Sequence, residues 1–456
     1  MLRFILRIGY PGLPRPDRSG LVRPGFGVKP DLTSPARRER KVRVPCCYDD
    51  AMSSSSPISS STTPFAASAI SGHLDTRTAA TEVAGDLYDH LGDTCDLAML
   101  FGSFHHRAAF AEAAQIIRQT LSPRTMLGVT AESVLGVDQE LEGRAGLSVI
   151  GLRLPGARLH PWSYRAEEDA AVLKDRQAMR QHIGHSDDLR TVIMLADPFS
   201  TPITKLLPAV TGCGDPGQPV GVVGGMSSGA SQPGHNLLVL DDQVPTSGAV
   251  GVTIAGPLQI DIIVSQGCRP IGNPLVITKC KGNVIFQLGG GKALEALGEQ
   301  TNLLDEDERG LLSGGLLIGT VINEYKERFG RGDFLVRNIL GFDKQHEAIA
   351  VGDLPRPGQT IQFHVRDAAT AHEDLQLLLD GQQLKDPPLG ALLFTCNGRG
   401  KKLFNEENHD VQTIRNRLGD VPLAGFFAAG EIGPIGDRSF LHGHTLSLAL
   451  FRAGPS

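Results

Sequence analysis

The feature that most constrains the fold is a recurring order of short apolar runs that end in polar, glycine-bearing turns. In residues 390–451, an apolar run leads to a polar turn, an amphipathic segment and two further apolar runs. The same order occurs at residues 96–154 and at residues 192–256. Such alternation is typical of strands that alternate with helices. We therefore predict an α/β fold of repeated strand–helix–strand–strand units, whose mixed sheets are covered by helices.

The repeat has two consequences. A period of ~100 to 200 residues is too long for a solenoid of stacked repeats. In α/β units the strand ends feed loops that carry polar groups, and ligands collect there. The alternative is ordinary α/β alternation without a true repeat.

Glycine supplies 54 of the 456 residues, against a usual ~7%, which favours many tight turns and close backbone approaches.

The charge is unevenly distributed along the chain. Residues 1–45 hold 11 Lys and Arg against 3 Asp and Glu, and the rest holds 33 against 47. Because contacts to phosphates need Lys and Arg, the acidic body argues against nucleic acid as a partner. No run of about 18 apolar residues is present, so we predict no membrane span.

Residues 1–64 do not read as a domain. They are basic, rich in Pro and Gly, and end in the Ser-rich run at 52–63. Three interpretations compete: a disordered basic and Ser-rich tail, an Arg-rich targeting peptide, or a start assigned too early, with Met52 as the true first residue. We favour a tail without consequence for folding.

Seven cysteines are scattered along the chain without a CxxC pair. A zinc ribbon is therefore not expected, and we predict neither a metal site nor a cofactor. Their odd number and the size of the chain favour reduced thiols in a cytoplasmic compartment.

Several stretches of the chain resemble the FIST proteins. Two shorter ones are Ala98-MLFGS and Leu154-PGA. The more specific ones are Ser265-QGCRPIGNPLVIT, Gln362-FHVRDA, Ala391-LLFTCNGRG and Pro422-LAGFFAAGEIGPIG. The resemblance implies a FIST N-like region at residues 65–256 and a FIST C-like region at residues 257–452.

The resemblance also implies a function. It indicates a soluble sensory protein that binds a small ligand, with amino acids among the candidates. We find no kinase, chemotaxis, cyclase or F-box segment, so we expect signalling through a separate partner protein. The ligand would shift the population between open and closed arrangements of the two regions.

Arg366 and Asp367 lie at a predicted strand-to-helix junction. The planar guanidinium group of Arg366 can bind a ligand carboxylate through two parallel hydrogen bonds. Asp367 is suited to cap the following helix. The alternative is that the two side chains pair with each other or with neighbours.

Asn397, Arg399 and Glu431 follow two other predicted strands. Arg399 could bind an anionic group, and Glu431 would then suit an α-ammonium group. Together with Arg366, Asp367 and Asn397 they form the predicted ligand site. The alternative is an ion pair between Glu431 and one of the arginines, with no ligand.

Two further functions remain open. Cys396 with His442 and His444 could serve a Cys/His-dependent hydrolase or transferase, provided that the thiol has a lowered pKa. The fold could also act as a protein-interaction scaffold.

Overall fold

The structure is a computed structural model that describes residues 41–43, 63–215 and 217–454. Most of the predicted tail, residues 1–64, therefore lies outside the described residues, as does Met52. Residues 41–43 form a short strand that pairs with the strand at residues 65–71.

The strands follow each other along the whole described chain. In chain order they are β1 (Lys41–Arg43), β2 (Phe65–Ser71), β3 (Leu97–Ser103), β4 (Thr125–Ala131), β5 (Val134–Gly136), β6 (Gln139–Leu141), β7 (Leu147–Arg153), β8 (Arg158–Tyr164), β9 (Leu189–Ala196), β10 (Val222–Met226), β11 (Leu238–Leu240), β12 (Ala249–Ala255), β13 (Leu258–Gln266), β14 (Cys268–Lys281), β15 (Val284–Leu288), β16 (Gly291–Lys292), β17 (Leu316–Val321), β18 (Phe334–Asp343), β19 (Ala348–Val351), β20 (Thr360–Arg366), β21 (Gly390–Cys396), β22 (Leu423–Ala428), β23 (Glu431–Ile435), β24 (Arg438–Leu441) and β25 (Thr445–Ala453).

The helices alternate with these strands. They are α1 (Thr76–Leu91), α2 (Phe110–Leu121), α3 (Arg176–His182), α4 (Ile203–Gly212), α5 (Ala293–Asn302), α6 (Glu306–Leu311), α7 (Ala368–Gln382), α8 (Lys401–Phe404) and α9 (His409–Leu418), with 3-10 turns at Phe104–Ala109, Val172–Lys174 and Leu312–Gly314.

Three sheets share one topology. Sheet I has the order β1-β2-β7-β3-β4-β11, sheet II β24-β23-β10-β9-β12-β8, and sheet III β13-β25-β21-β22-β5-β6. In each sheet two neighbouring strands run parallel, namely β3 and β4, β9 and β10, and β21 and β22. The next strand, β7, β12 or β25, is antiparallel to the first of the pair. The predicted strand–helix–strand–strand units and the mixed sheets are therefore confirmed. We call residues 96–154, 192–256 and 390–451 units 1, 2 and 3.

The units also exchange strands. The short strand β5 of unit 1 pairs with β22 in sheet III, β11 of unit 2 pairs with β4 in sheet I, and β23 of unit 3 pairs with β10 in sheet II. These strands begin at Val134, Leu238 and Glu431. Each sheet is thus extended on one side by a strand from another unit, which ties the three units into one body.

The core lies between the inner faces of the three sheets. Phe101 of sheet I packs against Phe394 and Phe426 of sheet III, with ring centroids 5.4 to 6.3 Å apart. Within the parallel pairs, β3, β4, β10 and β22 are buried along their whole length, which explains their continuous apolar sequences. Helices cover the outer faces: α1 and α2 on sheet I, α3 and α4 on sheet II, and α7 and α9 on sheet III.

A fourth sheet, β14-β20-β17-β18-β19-β15-β16, is inserted between β13 and β21. It closes into a small barrel because β14 pairs with both β20 and β15. The barrel has its own apolar interior, which includes Ile271, Ile318, Ile361 and Phe363. Its strands β14 and β20 meet sheet III near the C-terminal end of β21, and this junction positions the candidate site.

Candidate functional site

Predicted site residues come together around Gly398, in the turn that follows β21. A Cβ atom placed on Gly398 would lie 3.5 Å from Nδ1 of His444, 3.6 Å from Sγ of Cys396 and 3.7 Å from Nη2 of Arg366. Arg366 comes from the end of β20 in the barrel, and His444 immediately precedes β25. The site therefore lies where the barrel meets sheet III.

Arg366 and Asp367, at the end of β20, have different hydrogen-bond partners. Arg366 is half-buried and donates a hydrogen bond from Nη2 to the carbonyl oxygen of Gly398. Asp367 caps α7, as predicted: its carboxylate accepts hydrogen bonds from the backbone N–H of Ala369 at 3.0 Å and the hydroxyl of Thr370 at 2.7 Å. Arg366 thus borders the site directly, whereas the carboxylate of Asp367 is engaged by the helix.

Arg399 is buried and pairs with Asp410 of α9. Its Nε and Nη2 atoms donate to the two carboxylate oxygens, each at 2.8 Å, and both side chains are 1% exposed. Burial by itself would raise the pKa of Asp410, but the guanidinium group holds that pKa well below its ordinary value. The guanidinium group also lies 5.2 Å from the ring centroid of Phe404. Arg399 is therefore fixed by Asp410.

Glu431 is fully buried at the start of β23. Its Oε2 atom accepts hydrogen bonds from the backbone N–H of Thr445 at 3.1 Å and from its hydroxyl at 2.7 Å. Burial raises the pKa of Glu431 to about 8, although Thr445 and the adjoining thiol of Cys396 oppose the rise. The carboxyl group is consequently neutral for most molecules at pH 7.

Cys396 is half-buried, and its sulfur accepts hydrogen bonds from the backbone N–H groups of Gly398 at 3.4 Å and His444 at 3.3 Å. Burial, followed by the charge of Glu431, raises the pKa of the thiol to about 12. Burial also lowers the pKa of His444 to about 4. His442 is directed elsewhere, with Nε2 2.9 Å from the carbonyl oxygen of Gly433. The thiol is therefore protonated at neutral pH.

Four buried polar atoms of this site have no hydrogen-bond partner within the described part of the chain. They are Oδ1 of Asn397, Nη1 of Arg399, Oε1 of Glu431 and Nδ1 of His444. Asn397 and Arg399 flank Gly398, and Glu431 is bonded to Thr445, the residue after His444. We call these four the orphan atoms.

Two other features bear on possible functions. Among the described residues, no group of three or more His, Cys, Asp or Glu side chains is arranged to hold a metal ion. Nor does any helix there combine the length and apolarity needed to cross a membrane.

Comparison with known protein families assigns the chain to one of them. A model described as the FIST N domain matches residues 96–291, and one described as the FIST C domain matches residues 293–434. The chain belongs to the FIST family. FIST domains are associated with sensory signalling.

Curated relatives of this FIST protein come from mycobacteria. It is 40% identical over 388 residues to the uncharacterized protein Rv0628c of Mycobacterium tuberculosis, covering 83% of this chain and 97% of the relative. It is 39% identical over 384 residues to the uncharacterized protein Mb0898c of Mycobacterium bovis, covering 83% and 96%. The family relationship thus extends along most of the chain, and the names of these relatives assign no activity.

A search of solved structures finds a likeness to a cyanuric acid hydrolase from A. caulinodans. The TM-score is 0.30 and the identity 9%, over 86% of this chain and 100% of that one. So weak a likeness supports no conclusion about this FIST protein.

Most of the site lies inside the FIST C match, and two of its residues were missed by sequence reasoning. Asp410 is the partner of Arg399, and Thr445 is the partner of Glu431. A signal for Asp410 was available, because it lies in the first turn of a predicted amphipathic segment near Arg399. Thr445 carried no comparable signal, since it opens an apolar run.

Proposed function

We propose that this FIST protein is a sensor that reversibly binds a small ligand with both a carboxylate and an ammonium group, such as an amino acid, around Gly398. The observation that supports this most is the set of four orphan atoms. Leaving one buried polar atom unpaired costs about 1–3 kcal/mol. Buried polar atoms in native proteins are nearly always paired, and a ligand at this site would supply partners for these four among the unpaired buried atoms of the described residues.

The chemistry of the orphan atoms matches such a ligand. Nε2 of His444 lies 2.9 Å from the amide oxygen of Asn338. With Nε2 donating there, Nδ1 of His444 is an acceptor. It joins the oxygen atoms of Asn397 and Glu431 to give three acceptors for the three N–H bonds of an ammonium group. Arg399 Nη1 and the guanidinium group of Arg366 are donors for a carboxylate.

Binding would couple to the protonation of Glu431. The carboxyl group is mostly neutral at pH 7 because its pKa is raised to about 8. An ammonium group close to it would favour the ionised form, so binding releases a proton. We therefore expect affinity to rise between pH 7 and pH 9, as long as the ammonium group of the ligand stays charged.

Access and signalling complete the proposal. Arg366, Cys396, Asn397 and His444 are only half-buried, which leaves an approach from solvent. The ligand would favour one arrangement of residues 65–256 and 257–452, and a separate protein would read the change. The five described cysteines are free, which is consistent with a role in the cytoplasm.

A thermal-shift screen tests the proposal. The library holds the twenty L-amino acids, each with its decarboxylated amine and its deaminated acid. A ligand at 100 times its Kd should stabilise the fold by ~2.7 kcal/mol, which gives a shift of a few degrees. We expect shifts from amino acids and much smaller ones from amines and acids. No shift from any amino acid would contradict the proposal.

Two variants then locate the site. Glu431→Gln keeps the shape of the neutral acid but cannot ionise, and Arg366→Ala removes a half-buried donor. We expect each to weaken binding at least about tenfold, or ~1.4 kcal/mol. The matched controls are Glu82→Gln, whose carboxylate accepts from Ser71, and Arg331→Ala, whose side chain pairs with Glu373. Equal losses in the controls would mean that the affinity changes are indirect.

The alternative of a Cys/His-dependent enzyme rests on the proximity of Cys396 and His444 to Gly398. A thiol with a pKa of about 12 is a poor nucleophile at neutral pH. Labelling with iodoacetamide at pH 7 separates the two functions. Fast labelling of Cys396, compared with the half-buried Cys280, would favour the enzyme over the sensor.

A further inference from the structure

Units 1 and 3 are joined beside the ligand site by two segments. The hairpin segment, residues 132–142, contains β5 and β6 of unit 1. The clasp segment, residues 400–412, contains α8 and the start of α9 in unit 3. Direct hydrogen bonds join the two segments at several points, and Lys402 forms an ion pair with Glu132.

The first join lies directly after the turn that carries Arg399. The carboxylate of Glu142 accepts from the backbone N–H of Lys401 at 3.0 and 3.2 Å. Gly400 has φ of +58°, and a Cβ atom there would lie 2.6 to 2.7 Å from the carboxylate atoms of Glu142. Only glycine therefore lets the carboxylate approach the backbone so closely.

The second join lies at the start of α9. The side-chain oxygen of Asn408 accepts from the backbone N–H of Glu140 at 2.7 Å. In return, Oε1 of Glu140 accepts from the backbone N–H of Val411 at 3.0 Å. Glu140 is 2% exposed, so this exchange of hydrogen bonds takes place away from water. Buried hydrogen bonds of this kind fix the relative position of two segments.

Asp410 lies between the residues of the second join and holds the guanidinium group of Arg399. The backbone N–H of Arg399 in turn donates to the carbonyl oxygen of Cys396 at 2.8 Å. The turn 396–400 is thus fixed by Asp410 through a side chain and by Glu142 just beyond its end.

We propose that the hairpin segment and the clasp segment form a latch that holds the turn 396–400 in place, so that release of the latch opens the site. Describing the site as a ligand site rests on the proposed function, but the latch itself does not. Through it, a change in the position of the hairpin segment of unit 1 alters the shape of a site built by unit 3 and the barrel. The latch would make the hairpin segment a regulatory element for ligand binding.

The latch is tested without any ligand, by the rate at which iodoacetamide labels Cys396 in the full chain. Gly400→Ala displaces the carboxylate of Glu142, and Glu142→Ala removes it. Because a hydrogen bond to a charged group is lost, we expect Cys396 to react about tenfold faster in both variants, which corresponds to ~1.4 kcal/mol. Cys280, which lies in the barrel, serves as an internal reference whose rate stays constant.

Gly419→Ala is the matched control for Gly400→Ala. Gly419 also has a left-handed φ, +78°, but a Cβ atom there meets no described atom within 4 Å. The control therefore has similar backbone strain with an intact latch, and Cys396 should react at the wild-type rate. If Gly400→Ala does not fold, Glu142→Ala decides alone. If Cys396 is labelled at the wild-type rate in the latch variants, the latch proposal is wrong. Failure of the sensor proposal would appear separately, as the absence of any shift in the amino-acid screen on the wild-type protein.

Discussion

Units 1 and 3 have the same topology but end their first strands differently. Ser103 is the last residue of β3 and lies opposite the last residue of β4. Cys396 has the equivalent position in unit 3, as the last residue of β21 opposite the last residue of β22. The hydroxyl of Ser103 accepts from the backbone N–H of Gly146 at 3.0 Å and lies 3.3 Å from Nδ1 of His105. At the first position of the exchanged strand, unit 1 has Val134 where unit 3 has Glu431.

The difference separates what the fold needs from what the site needs. Unit 1 completes its sheet with a valine and an internally satisfied serine, so the topology does not require a buried acid at this position. In unit 3 the same position carries a buried carboxyl group with an orphan oxygen. Burying the carboxyl group of Glu431 costs free energy, yet unit 1 forms the same topology without a buried acid at this position. This difference supports a functional role for Glu431.

Removing the partner of Arg399 should have the largest effect. Asp410→Ala leaves a guanidinium group buried and without its charge partner, which should lower the free energy of unfolding by about 3–5 kcal/mol. Ser103→Ala at the strand end of unit 1 should cost only about 1 kcal/mol, because a neutral hydrogen bond is lost. Denaturant unfolding measures both. Equal losses would mean that the two strand ends are energetically alike.

The pH dependence of stability should be the next largest effect. Glu431 keeps its proton up to a pH near 8 in the folded chain but loses it near 4.5 when unfolded. Between these values the folded state binds more protons, so the free energy of unfolding falls as pH rises, by up to ~1.4 kcal/mol per pH unit, and levels off above pH 8. Glu140, whose pKa burial and Asp410 also raise to about 8, contributes in the same direction.

Substitution separates the two contributions. Glu431→Gln and Glu140→Gln should each make the decline between pH 5 and pH 8 less steep, and the double variant should remove most of it. The measurement is thermal unfolding across this pH range. A slope that Glu431→Gln leaves unchanged would show that Glu431 is ionised in the folded chain.

The smallest effect should come from making the strand end of unit 3 resemble that of unit 1. Cys396→Ser replaces the thiol with the hydroxyl found at Ser103, and a hydroxyl can still accept from the backbone N–H groups of Gly398 and His444. We expect a change in stability below about 1 kcal/mol and an unchanged response to amino acids in the thermal-shift assay. Loss of that response would instead assign an essential role to the sulfur.

Local patterns in the sequence determined the elements and the residues at their ends. Continuous apolar runs predicted the strands β3, β9 and β21, and the place of Asp367 at a strand-to-helix junction predicted its cap. Arg366, Asn397 and Arg399 were predicted at strand ends for the same reason. Hydrophobic periodicity and capping depend on residues within a few positions of each other, so a sequence displays them directly.

The tertiary structure alone decided the pairing and the charge of those residues. Arg399 binds Asp410, Glu431 is neutral beside Thr445, and strand exchange places the hairpin segment of unit 1 against α9. Each pairing and each shifted pKa depends on which groups are removed from water together. Which groups these are is determined by contacts between segments more than a hundred residues apart, as for Glu140 and Val411, or by the packing of a whole sheet. Desolvation is a property of the folded assembly, so no local pattern in the chain encodes it.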